Sequence, residues 1–118
     1  MTFNLKHYAH IGDAIWELFI REFAITKTNS LKELHKLTTS YVCATYQAEI
    51  LEKIYPNLTQ DEQDMARRGR NLPLSIGKKN NQTLHHLATS FEVLMGFWYL
   101  NDKNRLDEIF SNIKKYLN

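Results

Sequence analysis

The chain has 118 residues, 43% of them apolar and 12% aromatic, a composition that is typical of a folded globular protein and excludes a disordered one. This length is that of one domain, 1–118, with no room for a second module, and no apolar stretch is long enough to cross a bilayer. The net charge of +2 predicts no partner by itself, and the single cysteine excludes an internal disulfide, so we expect a soluble cytoplasmic protein.

Apolar residues three and four positions apart predict an all-α fold of about six helices. The first helix carries the string YAHIGDAIWELFIREF, and the second begins at Ser30, whose hydroxyl can cap the backbone. The third is capped by Thr39 or Ser40 and stops before Pro56, because a residue that precedes proline avoids helical geometry. We expect Cys43, which has no basic neighbour to lower its pKa, to be a buried structural thiol.

The fourth helix begins at a capping box formed by Thr59 and Glu62, and it ends where Gly69 can take a left-handed conformation. The fifth spans about residues 83–100 and is so apolar that it should be the buried central element. The sixth spans residues 104–117. The pattern contains no strand-like alternation, internal repeat or interdomain linker.

Positive charge is concentrated in residues 65–80, which contain five basic residues and no acidic one. The three arginines lie at the end of the fourth helix, and the two lysines lie in a loop rich in proline, glycine and asparagine. Such a cluster suits contact with a polyphosphate, and a solvated basic loop is the alternative. The five residues are Arg67, Arg68, Arg70, Lys78 and Lys79.

Two carboxylates stand among apolar residues, Asp13 in IGDAI of the first helix and Glu92 in FEVLM of the fifth. A carboxylate in such surroundings is costly unless it is paired, hydrogen-bonded or bound to a metal. If the two helices pack together, both side chains could meet in one cleft and supply the hard oxygen ligands that Mg²⁺ prefers. A solvated or salt-bridged structural role is the alternative for each. Gly12 and Gly96 would allow helices or a substrate to approach closely, although helix packing alone could explain both.

Several strings resemble motifs of a known family. YAHIGDAIWE resembles the first half of the ribonuclease III signature, in which an aliphatic residue precedes Gly-Asp-Ala, and ATSFEVLMGFWYLND resembles the second half. ARRGRN and NRLDEIF resemble the basic block and the C-terminal helix of the Mini-III branch. Each motif alone is moderately specific, whereas four in the family's order over nearly the whole chain are a strong match.

The resemblance implies roles for individual residues. Asp13 and Glu92 match the two acids with which the family holds its catalytic Mg²⁺, for which Mn²⁺ is the alternative cation. Glu17 is a candidate for the outer coordination shell, and a plain acid on the helix surface is the other interpretation. Ala9 and Thr89 stand where the broad family has two further acids, a simplification that Mini-III members share.

The expected function is a metal-dependent endoribonuclease that acts as a symmetric homodimer, cuts double-stranded RNA to leave 5′ phosphates, and matures the 23S ribosomal RNA precursor. The five basic residues would contact RNA phosphates, because the deep groove of A-form RNA is closed to side chains. We also expect a dimer because the apolar fifth helix, with Trp16 and Trp98, exceeds what a chain of this size covers alone. His85 and His86 are expected at a solvated helix start. The alternatives are a noncatalytic dimer that binds structured RNA in ribosome assembly, and a protein-binding helical adaptor.

Overall fold

The computed structural model describes residues 3–74 and 81–117, and every regular element within these ranges is helical. Two long helices, α1 (Leu5–Ala24) and α5 (Gln82–Asn101), form the centre. The predicted all-α fold of about six helices is confirmed. No helix in the described ranges is long and apolar enough to cross a membrane. The other elements are α2 (Leu31–Val42), α3 (Ala44–Ile54), α4 (Gln60–Arg70), α6 (Lys103–Ile113) and single 3₁₀ turns at Tyr55–Asn57 and Lys114–Tyr116.

The helix starts match the sequence prediction at two caps and differ from it at a third position. The Ser30 hydroxyl accepts from the Glu33 amide at the start of α2, as predicted. Thr59 and Glu62 form the predicted capping box at the start of α4. The predicted boundary at Thr39 or Ser40 is wrong, because both hydroxyls donate to carbonyl oxygens one turn earlier and α2 continues past them. The chain leaves helical geometry at Cys43 instead, where the backbone is extended (φ −70°, ψ 158°). The Cys43 thiol stands at this junction and is exposed, contrary to the prediction that it is buried.

α5 is the centre of the core and packs on α1, α3, α4 and α6. The chain's own helices bury both tryptophans, since Trp16 is 0% and Trp98 is 1% exposed. The Trp16 ring meets Phe91 edge to face at 5.0 Å, and its indole nitrogen donates to the Tyr41 carbonyl oxygen at 2.9 Å. The two tryptophans therefore give no reason to expect a second subunit, contrary to the sequence-based expectation.

α1 and α5 meet backbone to backbone at two glycines. A methyl group at Gly12 would overlap the carbonyl oxygen of Glu92, and one at Gly96 would overlap that of Tyr8. Because Gly12 follows Tyr8 by four residues and Gly96 follows Glu92 by four, the two contacts lie one helical turn apart on antiparallel helices. Both glycines thus serve helix packing, which was one of the two interpretations of the sequence.

A third glycine lets α4 pack closely on α5. Gly69 lies inside α4, and no glycine of the described residues has a positive φ, so the predicted left-handed end of the helix is wrong. A methyl group at Gly69 would stand 3.1 to 3.2 Å from atoms of Val93 and Ser90. The Ser90 hydroxyl also donates to the Ala66 carbonyl oxygen at 2.7 Å, which fixes the two helices in register.

A charged cluster joins α4, α5 and α6 at one end of the molecule. Arg105 donates Nε and Nη2 to the Glu62 carboxylate at 2.9 and 2.8 Å, and the Trp98 indole nitrogen donates to the same carboxylate at 2.9 Å. Burial alone would raise the pKa of Glu62, but the bonds from Arg105, the Thr59 amide and Trp98 outweigh it and lower the pKa to about 2. The same carboxylate raises the pKa of Arg105.

We expect Gly96→Ala to destabilise the fold by roughly 3 kcal/mol, because its methyl group would meet main-chain atoms of Tyr8 that cannot move without shifting α1. Urea unfolding at pH 7 measures the change. Gly69→Ala is the matched control, since its tightest contact is a Val93 side-chain carbon at 3.1 Å and the helix gains about 1 kcal/mol of propensity. Equal losses in the two variants would contradict the backbone contact as the special feature of Gly96.

Glu62→Gln should cost about 3 kcal/mol at pH 7, because Arg105 loses the largely buried carboxylate that accepts two of its hydrogen bonds and keeps only the exposed Glu108 as a charged partner among the described residues. The pKa of Glu62 is lowered from its ordinary 4.5 to about 2, so its stabilisation is fully present above pH 4.5 and fades as the pH falls toward 2. The difference in the free energy of unfolding between wild type and variant should therefore be smaller at pH 3 than at pH 7. Glu108→Gln is the control, since this side chain is 68% exposed against 12% for Glu62 and should cost less than about 1 kcal/mol. An equal difference in unfolding free energy at both pH values would contradict the lowered pKa of Glu62.

Candidate active site

A cleft of about 450 Å³ opens between α1, α5 and the junction of α2 with α3. One face of α1 and one face of α5 form its main walls, with residues at the three and four residue spacing of a helix. The segment that follows α4 adds a further wall. The residues that line the cleft are Lys6, Ala9, His10, Asp13, Val42, Ala44, Gln47, Leu72, Pro73, Leu74, His85, Ala88, Thr89 and Glu92.

Asp13 and Glu92 both line this cleft. They come together because Gly12, directly before Asp13, lies against the main chain of Glu92. Asp13 is exposed and Glu92 is half-buried, so solvent and a ligand can reach a pair of carboxylates that belongs to two different helices. Two hard anionic oxygen donors in one cleft favour a divalent cation such as Mg²⁺.

The polar residue of the cleft that the sequence did not reveal is Gln47, which is 2% exposed. Its amide nitrogen donates to the carbonyl oxygen of Val42, the last residue of α2, at 3.1 Å. Its Oε1 is buried and has no hydrogen-bond partner within the part of the chain that the structure describes. A glutamine within a helix gives no sequence signal of such an environment, because its burial depends on how α2 and α3 meet at Cys43.

Three basic side chains accompany the carboxylates in the walls of the cleft. Lys6 and His10 are exposed on α1, and His85 is half-buried on α5. His85 lies at the start of α5, as predicted, and it precedes Glu92 by seven residues, so it shares the face of α5 that lines the cleft. These groups are suitable donors to phosphate oxygens beside a cation site.

Glu17 lies outside the cleft. It is one turn beyond Asp13 on α1, and its carboxylate accepts from Arg21 Nε at 3.0 Å in an exposed i,i+4 pair. Such pairs contribute little to stability. The outer coordination shell stays a prediction for Glu17, and the placement favours the helix-surface interpretation.

The arginines of α4 do not form one cluster. Arg67 and Arg70 line a groove of about 430 Å³ that α3, α4 and α5 share, and Arg67 also pairs with Asp64 at 3.2 Å. Both guanidinium groups are thus on a different groove from the acidic cleft. Lys78 and Lys79 lie outside the residues that the structure describes.

Arg68 faces another groove, which it shares with Lys6, Leu72 and aromatic residues of α1 and α5. Lys6 and Leu72 also line the acidic cleft, so the two depressions adjoin. Among the predicted phosphate contacts within the described ranges, Arg68 is therefore the one that borders a path to the carboxylates.

Comparison with known proteins agrees with this architecture. The family model of the Ribonuclease III domain matches residues 6–103. The Mini-ribonuclease 3 of Synechocystis sp. is 36% identical over 106 residues, which cover 90% of this chain and 74% of the relative. The Mini-ribonuclease 3 of Enterococcus faecalis is 38% identical over 111 residues, which cover 87% and 82%. A crystal structure of a Fusobacterium nucleatum protein superposes with a TM-score of 0.79 at 27% identity, covering 92% of this chain and 88% of that one.

The helical fold and its acidic cleft thus define a catalytic domain of the ribonuclease III type, a class of endoribonucleases that act on double-stranded RNA. Within that class the chain belongs to the Mini-ribonuclease 3 branch of the ribonuclease III family. The resemblance drawn from the four sequence strings is confirmed.

Arg68→Gln should weaken binding to duplex RNA by roughly tenfold and reduce the salt dependence by about one counterion, because it removes one phosphate contact. The loss should be similar for unrelated duplex sequences. Fluorescence anisotropy without divalent cations, between about 50 and 200 mM salt, gives both quantities. Arg21→Gln is the control, since Arg21 is an exposed arginine of α1 away from both depressions. If the two variants bind alike, RNA reaches the cleft along another face.

Proposed function

We propose that the chain is a Mg²⁺-dependent endoribonuclease that hydrolyses double-stranded RNA, with the cation held by Asp13 and Glu92. The observation that carries the proposal is that these carboxylates, 79 residues apart in the sequence, line one cleft. Among residues 3–74 and 81–117 no group of three or more acidic, histidine or cysteine side chains could hold an ion. The proposed site therefore has two carboxylates, and Mg²⁺ accepts such a site because it keeps several of its own waters.

The donor set of the cleft fits this group of cations. The two carboxylates are hard ligands, and the buried Gln47 Oε1 is a neutral oxygen that accepts no hydrogen bond from any described residue. The chemistry supplied by the cation when bound is charge neutralisation at the phosphate and a lower pKa for a water molecule. Mn²⁺, which also prefers oxygen ligands, is the expected substitute.

The residues of the chain then act on the substrate by position and charge. Lys6 and His10 lie on the same face of α1 as Asp13, where they can hold phosphate oxygens of the strand that is cut. Water adds to phosphorus and the bond to O3′ breaks, which leaves a 5′ phosphate and a 3′ hydroxyl. No side chain is needed as a nucleophile, so the protein contributes geometry and electrostatics.

The substrate that we propose is structured precursor of ribosomal RNA, the 23S precursor in particular, in the cytoplasm. A two-fold homodimer would present one cleft to each strand of the duplex. Leu18, Tyr99 and Leu100 are exposed apolar residues of α1 and α5 that a second subunit could cover. The dimer is proposed from the resemblance to the ribonuclease III family, since both tryptophans are buried within the chain itself.

A second candidate function is noncatalytic binding of structured RNA in ribosome assembly. It is favoured by Ala9 and Thr89, which line the cleft where the broad family has acidic residues. The reduced number of carboxylates would weaken the hold on a cation. Cation-dependent cleavage separates the two functions.

Asp13→Asn and Glu92→Gln should each lower the cleavage rate of duplex RNA roughly a hundredfold or more at saturating Mg²⁺, because each removes an anionic ligand and keeps the shape of the side chain. The experiment measures single-turnover cleavage, with and without Mg²⁺, on matched duplex and single-stranded RNA. Duplex affinity and circular dichroism should be unchanged.

Glu17→Gln is the control on the same helix, because Glu17 lies outside the cleft. It should keep most of the wild-type rate. Near-normal cleavage by Asp13→Asn or Glu92→Gln would exclude the proposed site, and cation-independent binding without cleavage by the wild type would favour the noncatalytic function.

A further inference from the structure

Gln47 has one satisfied and one unsatisfied polar atom at the wall of the acidic cleft. Its Nε2 donates to the Val42 carbonyl oxygen at 3.1 Å, and its Oε1 is buried with no hydrogen-bond donor among residues 3–74 and 81–117. The assignment of the two atoms follows from this bond, because the opposite orientation would set two oxygen acceptors against each other. The atom without a partner is therefore Oε1, a hydrogen-bond acceptor.

The local structure explains the hydrogen bond of the Gln47 amide nitrogen but not the burial of the amide oxygen. The nitrogen satisfies a terminal carbonyl of α2 at the junction with α3, which is a structural role. The oxygen has no such role, and a buried acceptor without a donor destabilises the folded protein. Buried polar atoms of this kind commonly serve a ligand or an ordered water.

The surroundings of Gln47 indicate which ligand. Most side chains of the cleft wall are aliphatic or basic, and only four carry an oxygen atom, namely Asp13, Gln47, Thr89 and Glu92. A divalent cation bound by two carboxylates keeps several waters, and the hydrogens of those waters need acceptors. Gln47 is the buried residue of the same cleft whose Oε1 has no donor among the described residues.

We propose that Gln47 is a positioning residue for the catalytic cation, and that its Oε1 accepts a hydrogen bond from a water molecule in the hydration shell of the ion held by Asp13 and Glu92. This inference rests on the proposed function and extends it to a residue of α3. Such acceptors orient the hydration shell, and their loss typically weakens metal binding about 10- to 100-fold.

The test measures Mn²⁺ binding to the RNA-free protein by electron paramagnetic resonance of the free ion, with Mg²⁺ as competitor. Gln47→Met keeps the length of the side chain and removes the acceptor, so Mn²⁺ affinity should fall about tenfold or more. Gln47→Glu keeps an oxygen acceptor and loses the Nε2 donor, so it should bind Mn²⁺ at least as tightly as the wild type. In single-turnover cleavage, Gln47→Met should need correspondingly more Mg²⁺ for half-maximal rate and should approach the wild-type rate at saturation.

Gln63→Met is the matched control. The Gln63 amide nitrogen also donates to carbonyl oxygens that follow a helix, those of Tyr55 and Leu58, but Gln63 does not line the cleft. It should lose a comparable amount of stability and keep its Mn²⁺ affinity. A general loss of stability would lower the Mn²⁺ affinity of both variants, whereas loss of the acceptor lowers the Mn²⁺ affinity of Gln47→Met alone.

Wild-type Mn²⁺ affinity in Gln47→Met overturns the role of Gln47. If Gln47→Met does not fold, weaker binding by Gln47→Glu than by the wild type overturns it instead. Results that overturn the proposed function are distinguishable from these. In that case the wild type binds no Mn²⁺, or Asp13→Asn binds Mn²⁺ with the affinity of the wild type. Weakened binding in Gln47→Met, with retained binding in Gln47→Glu and Gln63→Met, supports the inference.

Discussion

The backbone contact between α1 and α5 is the constraint on which the rest of the structure depends. Gly12 lies on the carbonyl of Glu92, and Gly96 lies on that of Tyr8, so the two helices approach as closely as their main chains permit. One consequence is energetic, since α5 can then be buried by α1 on one side and by α3, α4 and α6 on others. The other is chemical, because the same contact carries Asp13 and Glu92 to the wall of one cleft.

The proposed function depends on the two carboxylates that this contact holds in the cleft. A pair of acids on two packed helices has little freedom to separate, so a cation site built on them is formed before substrate arrives. The Glu62 cluster holds α4 and α6 to α5 through Trp98 and Arg105, and none of these three residues lines the cleft. Fold stability and the candidate site thus rely on different charged groups, and substitutions in one can be read separately from substitutions in the other.

The sequence predicted what depends on local pattern. Apolar spacing predicted the helices, the Thr59 capping box predicted the start of α4, and the acids in apolar contexts predicted residues of the cleft. It did not predict features that depend on contacts between distant segments. Gly69 serves packing on α5, and the partners of Glu62 lie 36 and 43 residues away in the sequence. Gln47 was missed for the same reason, since only the α2–α3 junction makes it buried.

We propose that the α1–α5 contact builds a cation site from Asp13 and Glu92. An anomalous difference map from crystals of the wild-type protein grown with Mn²⁺ tests it most directly. We expect an anomalous peak in the cleft, with oxygen atoms of both carboxylates bound to the ion directly or through water. A peak at another place on the molecule, with none in the cleft, would contradict it.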